Sequence, residues 1–82
     1  MLYKGEGIEI TPEIFRTLKI GDILSNKWYS NENDGSLGYD YEITGKSGNN
    51  ITIQLLLKGS RGGYYTLTEQ ECINDTQLYL RK

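Results

Sequence analysis

The sequence predicts one mainly β domain over residues 1–82: a small antiparallel barrel of five short strands, with a short N-terminal helix and a short helical turn before the last strand. Three observations lead there. Eighty-two residues suffice for one core and not for two, because a domain of this size already leaves much of its surface wet. Seven Tyr and nine Ile favour pleated, half-buried surfaces, while ten Gly supply tight turns. Two neighbouring segments, "YDYEI" and "ITIQLLL", alternate apolar and polar residues as strands with one wet side do. A meander of five such strands curls and closes, since twist and edge protection both favour a barrel.

The elements follow in chain order. In "ITPEIFRTLKIGD", Thr11 caps the free amides and Pro12 suits a first helical position that needs no donor, so a helix runs from Pro12 to about Leu18. Ile14, Phe15 and Leu18 then share the face laid on the core, and Gly21-Asp22 turns the chain. "DILSNKWY" reads as a strand and "SNENDGSLG" as a long loop, with Asp34-Gly35 available for a turn of positive φ. "YDYEI" places Tyr39, Tyr41 and Ile43 on one face and Asp40 and Glu42 on the other; "ITIQLLL" groups Ile51, Ile53, Leu55 and Leu57. "TGKSGNN" between them reads as a hairpin connection, and "KGSRGG" as a second one leading to the strand "YYTLT". Thr68 and Glu71 form a capping box that starts one or two helical turns over about Glu69 to Asn74, and "QLYLR" is the closing strand.

Composition narrows the chemistry. Eleven acids against nine bases give a formal net charge of −2, so no global field draws the protein to nucleic acid or anionic lipid. Charge is segregated locally: Trp28 to Glu42 holds Glu32, Asp34, Asp40 and Glu42 without a base, and Ile43 to Leu67 holds Lys46, Lys58 and Arg61 without an acid. A single cysteine, Cys72, rules out an intramolecular disulfide and a cysteine metal cluster, which fits a reducing, cytoplasmic setting. The N-terminal segment lacks the apolar core of a signal peptide, and Leu55-Leu56-Leu57 is far too short to cross a bilayer, so no membrane partner is expected.

Four motifs yield bland readings. Gly45-Lys46-Ser47 ends as a phosphate-binding loop does, but Asp40 stands where the first glycine belongs and a strand follows where a helix is required. A calcium loop started at Ser30 would need its bidentate acid at Tyr41, one residue before Glu42. There is no histidine, and Asp40 and Glu42 share a strand face expected to lie in open solvent among acids, where no carboxyl acquires a raised pKa. Cys72 lies beside Glu69 and Glu71, which oppose thiolate formation, so it reads as a small buried apolar residue. No catalytic residue, cofactor or metal site follows.

Two surfaces remain for recognition. Lys58 and Arg61 flank a glycine-rich turn beside Tyr64 and Tyr65, one of which must face outward, so that a base could stack while the cations hold phosphate. Nine aromatics exceed what a small barrel easily buries, and Trp28-Tyr29 beside an acidic loop would expose at least one ring of the kind that anchors protein interfaces.

The runs "FRTLKIGDIL", "YEITGKSGNNITIQLLL" and "YYTLTEQEC" resemble a pattern common in small SH3-like barrels, where "L-K-x-G-D" precedes the first barrel strand and a Gly/Asn turn joins two central strands. The resemblance covers most of the chain and implies a fold, not an activity, since such barrels host peptide, nucleic-acid and protein-interaction roles. The helical turn before the last strand echoes the 3₁₀ turn of these barrels; the N-terminal helix lies outside the minimal pattern. In size, acidity and Lys/Ile/Asn-rich habit the chain is also similar to short proteins of low-GC bacteria and their phages, which often occlude or sequester something larger. The expectation is a non-catalytic binding module that meets another protein, or a copy of itself, through strand edges and aromatics around Trp28, Tyr29 and Tyr64. The alternative is a nucleic-acid or nucleotide binder using Lys58, Arg61 and Tyr64.

Overall fold

The computed structural model describes residues 2–4, 7–30 and 36–81. Among these, the antiparallel strands fall into two sheets. The larger holds β2 (Gly7–Glu9), β3 (Ile23–Ser25), β6 (Asp40–Ser47), β7 (Asn50–Leu57), β8 (Ser60–Thr68) and β9 (Tyr79–Arg81), in the order β2-β9-β3-β6-β7-β8. The smaller joins β1 (Leu2–Lys4), β4 (Trp28–Ser30) and β5 (Ser36–Leu37) in the order β1-β4-β5. Helix α1 covers Pro12–Thr17, and a π-helical turn covers Glu71–Asp75.

The expected antiparallel, sheet-rich arrangement is present, with β3, β6, β7 and β8 as a meander and β9 returning beside β3, and it differs from the expectation in two ways. The larger sheet has six strands in an open order whose edges are β2 and β8, not five closed into a ring. The sixth, β2, comes from an N-terminal segment whose short Ile8/Ile10 alternation carries too little pattern to read as a strand. It pairs with β9 in a register that sets Gly7 opposite Arg81, and the Tyr79 ring lies where a Gly7 side chain would be. Only glycine lets that ring cross β2.

"DILSNKWY" is not one strand but two, placed in different sheets. The Ser25 hydroxyl accepts the Lys27 amide at 3.1 Å, and the Asn26 side-chain oxygen accepts the Tyr39 amide at 2.8 Å. These short side chains offer the backbone a turn in place of a ladder, so the chain leaves β3 at Asn26 and Trp28 pairs with Lys4 and Leu37 instead. The proposed Asp34-Gly35 turn lies outside the described residues, as do residues 31–35 of the suggested calcium loop.

Local signals elsewhere hold closely. Thr11 accepts the Ile14 amide at 3.2 Å with Pro12 at the first helical position, and the helix stops at Thr17 with Leu18 already extended. Its inner face works as expected: Phe15 and Leu18 are buried and Ile14 packs beside them. The capping box is reciprocal, Thr68 donating its amide to Glu71 at 2.9 Å and Glu71 its amide to the Thr68 hydroxyl at 3.1 Å. The core is built from Ile10, Phe15, Leu18, Leu24, Ile43, Ile51, Ile53 and Cys72, so α1 and the π-helical turn close one face of the larger sheet.

The Gly-Lys-Ser triplet sits within β6, which runs on to Ser47, and the turn is Gly48-Asn49 alone, with Gly48 at φ +58°. The Lys46 ammonium crosses to the end of α1, donating to the carbonyls of Leu18 at 2.6 Å, Arg16 at 3.0 Å and Phe15 at 3.5 Å. The Phe15 carbonyl also accepts the Leu18 amide at 3.2 Å, whereas those of Arg16 and Leu18 lie past the last turn of the helix, where the chain supplies no further intrahelical amide, and a cation there also answers the helix dipole. The triplet that resembles a nucleotide loop is a helix cap supplied from a distant strand.

Candidate functional site

Both faces of the larger sheet carry candidate features. On the core face, Tyr41 of β6, Ile53 of β7, and Tyr65 and Leu67 of β8 meet Asn26, Thr76 and Leu78 around an open pocket of about 180 Å³. Tyr41 and Tyr65 touch edge to face, with centroids 6.2 Å apart and planes at 83°, a favoured aromatic geometry. Burial, followed by the neighbouring Tyr65, holds the Tyr41 phenol above its usual pKa. A second depression, lined by Ile10, Trp28, Ile73 and Gln77, shares Thr76 and Leu78 with the first. The segment 76–78 is thus a ridge between two hollows.

The opposite face is ionic. Asp40 receives Lys27 at 3.2 Å and Arg81 at 3.0 Å on the same carboxylate oxygen. Burial works against its charge, but the Ser25 hydroxyl and the two cations outweigh it and hold the carboxyl below its usual pKa. Glu42 pairs with Arg61, whose guanidinium also donates to the Gln54 side-chain oxygen at 3.2 Å. The Gln54 amide in turn donates to the Gly62 carbonyl at 3.2 Å, so a buried amide is satisfied across the bulge where Gly62 and Gly63 face Leu55. The expectation that Asp40 and Glu42 stand in open solvent among acids is therefore corrected. The acidic strand is neutralised from both sides, Glu42 by Arg61 of β8 across β7 and Asp40 by Lys27 and by Arg81 of β9.

The expected recognition residues do not assemble into one site. Trp28 is half-buried in the second depression. Tyr29 belongs to β4, its backbone paired with Tyr3 and Ser36. Lys58 is exposed in the β7–β8 turn, Arg61 is held by Glu42 and Gln54, and Tyr64 stands on the ionic face, 65% exposed. The groove residues Tyr41, Tyr65, Leu67 and Leu78 are what the sequence reading did not group. Alternation puts Tyr41, Tyr65 and Leu67 on one face, but the fourth wall, Leu78, arrives only through the chain reversal after the π-helical turn.

Cys72 is buried and its thiol is pushed up to about 11 by burial, which leaves it protonated at neutral pH. Among the described residues no cluster of three or more Cys, Asp and Glu is placed to hold a metal, and no helix is long and apolar enough to cross a membrane. Comparison with protein-family models, with curated proteins and with solved structures returns no match.

Proposed function

We propose that this chain is a non-catalytic interaction module on an SH3-like barrel scaffold, and that it takes an apolar or aromatic side chain of another protein into the groove between Tyr41, Tyr65 and Leu78. The groove carries the reading. It is open, walled by aromatic and aliphatic side chains, and rimmed by the amide of Asn26 and the hydroxyl of Thr76, the composition that protein-binding hollows share. The scaffold reading is supported by the return of β9 beside β3, Leu24 opposite Leu80, with a helical turn shortly before β9. A module of this kind acts by covering a partner's surface, in keeping with an occluding role in a bacterium or phage.

Screening the protein against a displayed library of extended peptides tests this. Selected peptides should carry an aromatic or branched aliphatic anchor and should shift the resonances of Tyr41, Tyr65, Leu67 and Leu78; Tyr65→Lys should abolish binding without unfolding the domain. Peptides that bind equally well to Tyr65→Lys would refute the groove. The oligonucleotide reading through Lys58, Arg61 and Tyr64 has less support, because Arg61 is already occupied by Glu42 and Gln54. Binding of a single-stranded oligonucleotide that falls steeply with salt would reverse that ranking.

A further inference from the structure

The larger sheet has one short edge and one long one. β2 is three residues and ends on Glu9, whereas β8 runs nine residues and pairs only with β7 among the described residues. Natural edges are blunted by short length, charge, proline or a bulge. β8 has a bulge at Gly62-Gly63, but beyond it Tyr64–Thr68 pairs residue for residue with Asn50–Gln54 and contains neither charge nor proline.

Which backbone groups point outward follows from the ladder. Glu69 donates its amide to the Asn49 carbonyl at 2.8 Å, so the hydrogen-bonded positions facing β7 continue as Leu67 and Tyr65. The amides and carbonyls of Tyr64, Thr66 and Thr68 therefore point away from the sheet. Among the described residues only the Thr68 amide of these groups is answered locally, by Glu71. Thr66 is the midpoint of this regular stretch.

Charge is arranged along the same line. Lys58 in the turn before β8 and Arg61 at its start, the latter already paired with Glu42, lie at one end of the strand, and Glu69, Glu71 and Asp75 follow the other. A parallel neighbour of the same kind would set like charges together; an antiparallel one sets the basic start of each strand against the acidic end of the other, twice.

We propose that β8 is a homodimer interface: a second copy adds its own β8 antiparallel to the first, about a two-fold axis through Thr66. In this register Thr66 faces Thr66 of the other copy, Tyr64 faces Thr68, and Tyr65 faces Leu67, so apolar cross-strand pairs form on the core face. The Thr66 pair exchanges two hydrogen bonds, and each Tyr64 amide reaches a Thr68 carbonyl, all without disturbing the Thr68–Glu71 cap. An isologous contact of this kind closes on itself and consumes both long edges, leaving the short β2 edges at the ends of a continuous sheet. The proposal concerns the strand edge; it shares Tyr65 and Leu67 with the groove, but the Thr66 side chain points to the opposite face, so substitutions at Thr66 test the edge without altering the groove lining.

Sedimentation equilibrium and native mass spectrometry test it, from micromolar to millimolar chain concentration. The expected result is a concentration-dependent shift from 9.4 kDa to twice that mass and no further. Thr66→Lys and Thr66→Glu each place like charges opposite one another at the axis and should each weaken dimerisation by roughly tenfold or more. Mixed in equal amounts, they should recover a heterodimer, a result that only an axis at Thr66 gives. Amide exchange on the wild type supplies a second readout: Tyr64 and Thr66 should become protected as concentration rises while exposed turn amides do not. A wild type that stays at 9.4 kDa throughout, a dimer that survives Thr66→Lys, or unchanged exchange at Thr66 would each overturn the proposal.

Discussion

Replacing Lys46 by Met keeps most of the side-chain volume and removes the charge that caps α1. The carbonyls of Leu18 and Arg16 lose a donor at 2.6 and 3.0 Å, and that of Phe15 loses a longer contact of 3.5 Å but keeps the Leu18 amide. A cation at a helix end contributes about 0.3–2 kcal/mol, and a charge-assisted hydrogen bond about 1.5–3 kcal/mol when shielded. The Lys46 residue is exposed and water can replace part of what is lost, so the expected cost is about 1–2 kcal/mol. For a domain of this size that lowers the melting temperature by roughly 5–15 °C. Thermal and urea denaturation by circular dichroism would measure it, with Lys58→Met, in the exposed β7–β8 turn, as the matched control. The control should stay within about 0.5 kcal/mol of the wild type. Equal stability of the two variants would refute the capping role, as would a Lys46→Met protein indistinguishable from the parent. A melting temperature that rises with added ATP and loses that response on Lys46→Met would instead restore the nucleotide-loop reading.

Four more outcomes follow from the packing and the shifted groups. Gly7→Ala should destabilise the domain by about 1–3 kcal/mol in urea titration, because the new methyl collides with the Tyr79 ring and with the Leu80 carbonyl. Phe15→Ala, emptying a position only 2% exposed, should cost about 3–5 kcal/mol, and a loss under 1 kcal/mol would mean that α1 does not seal the core. Titration should act at both ends of the pH scale. The Asp40 carboxyl is lower in the folded state than its usual 3.8, so its stabilising share is present above that value and is lost as pH falls below it; Asp40→Asn should flatten this acid limb. The Cys72 thiol rises from 9.0 to about 11, so stability should fall as pH climbs from 9.0 toward 11, and Cys72→Ala should remove that share of the alkaline loss.

What could be read in advance was local. Thr11-Pro12 and Thr68 with Glu71 act over three or four residues, and the structure realises both through the hydrogen bonds their spacing implies. Period-two alternation likewise buries Ile43, Ile51 and Ile53. Contacts between residues far apart in the chain were not legible. Nothing in "TGKSGNN" shows that Lys46 will end at a helix some 30 residues earlier, or in "KGSRGG" that Arg61 will find Glu42. The break between Ser25 and Trp28 was hidden because "DILSNKWY" alternates well enough for a strand, and the competing turn depends on Asn26 reaching Tyr39, thirteen residues on. Of the groove, three walls follow from alternation; the fourth depends on the path of 76–78, which no short-range pattern specifies.

Trp28 is the only tryptophan in the chain, and it lines the hollow beside the Thr76–Leu78 ridge together with Ile10 and Ile73. The protein thus carries its own optical reporter at the boundary of its candidate binding groove. Excited selectively over the seven tyrosines, one half-buried indole would register a ligand that displaces water from the hollow, or moves Leu78, as a blue shift or a change in quantum yield. Binding, unfolding and movement of the ridge could then be followed on unlabelled protein, with every signal assigned in advance to one residue.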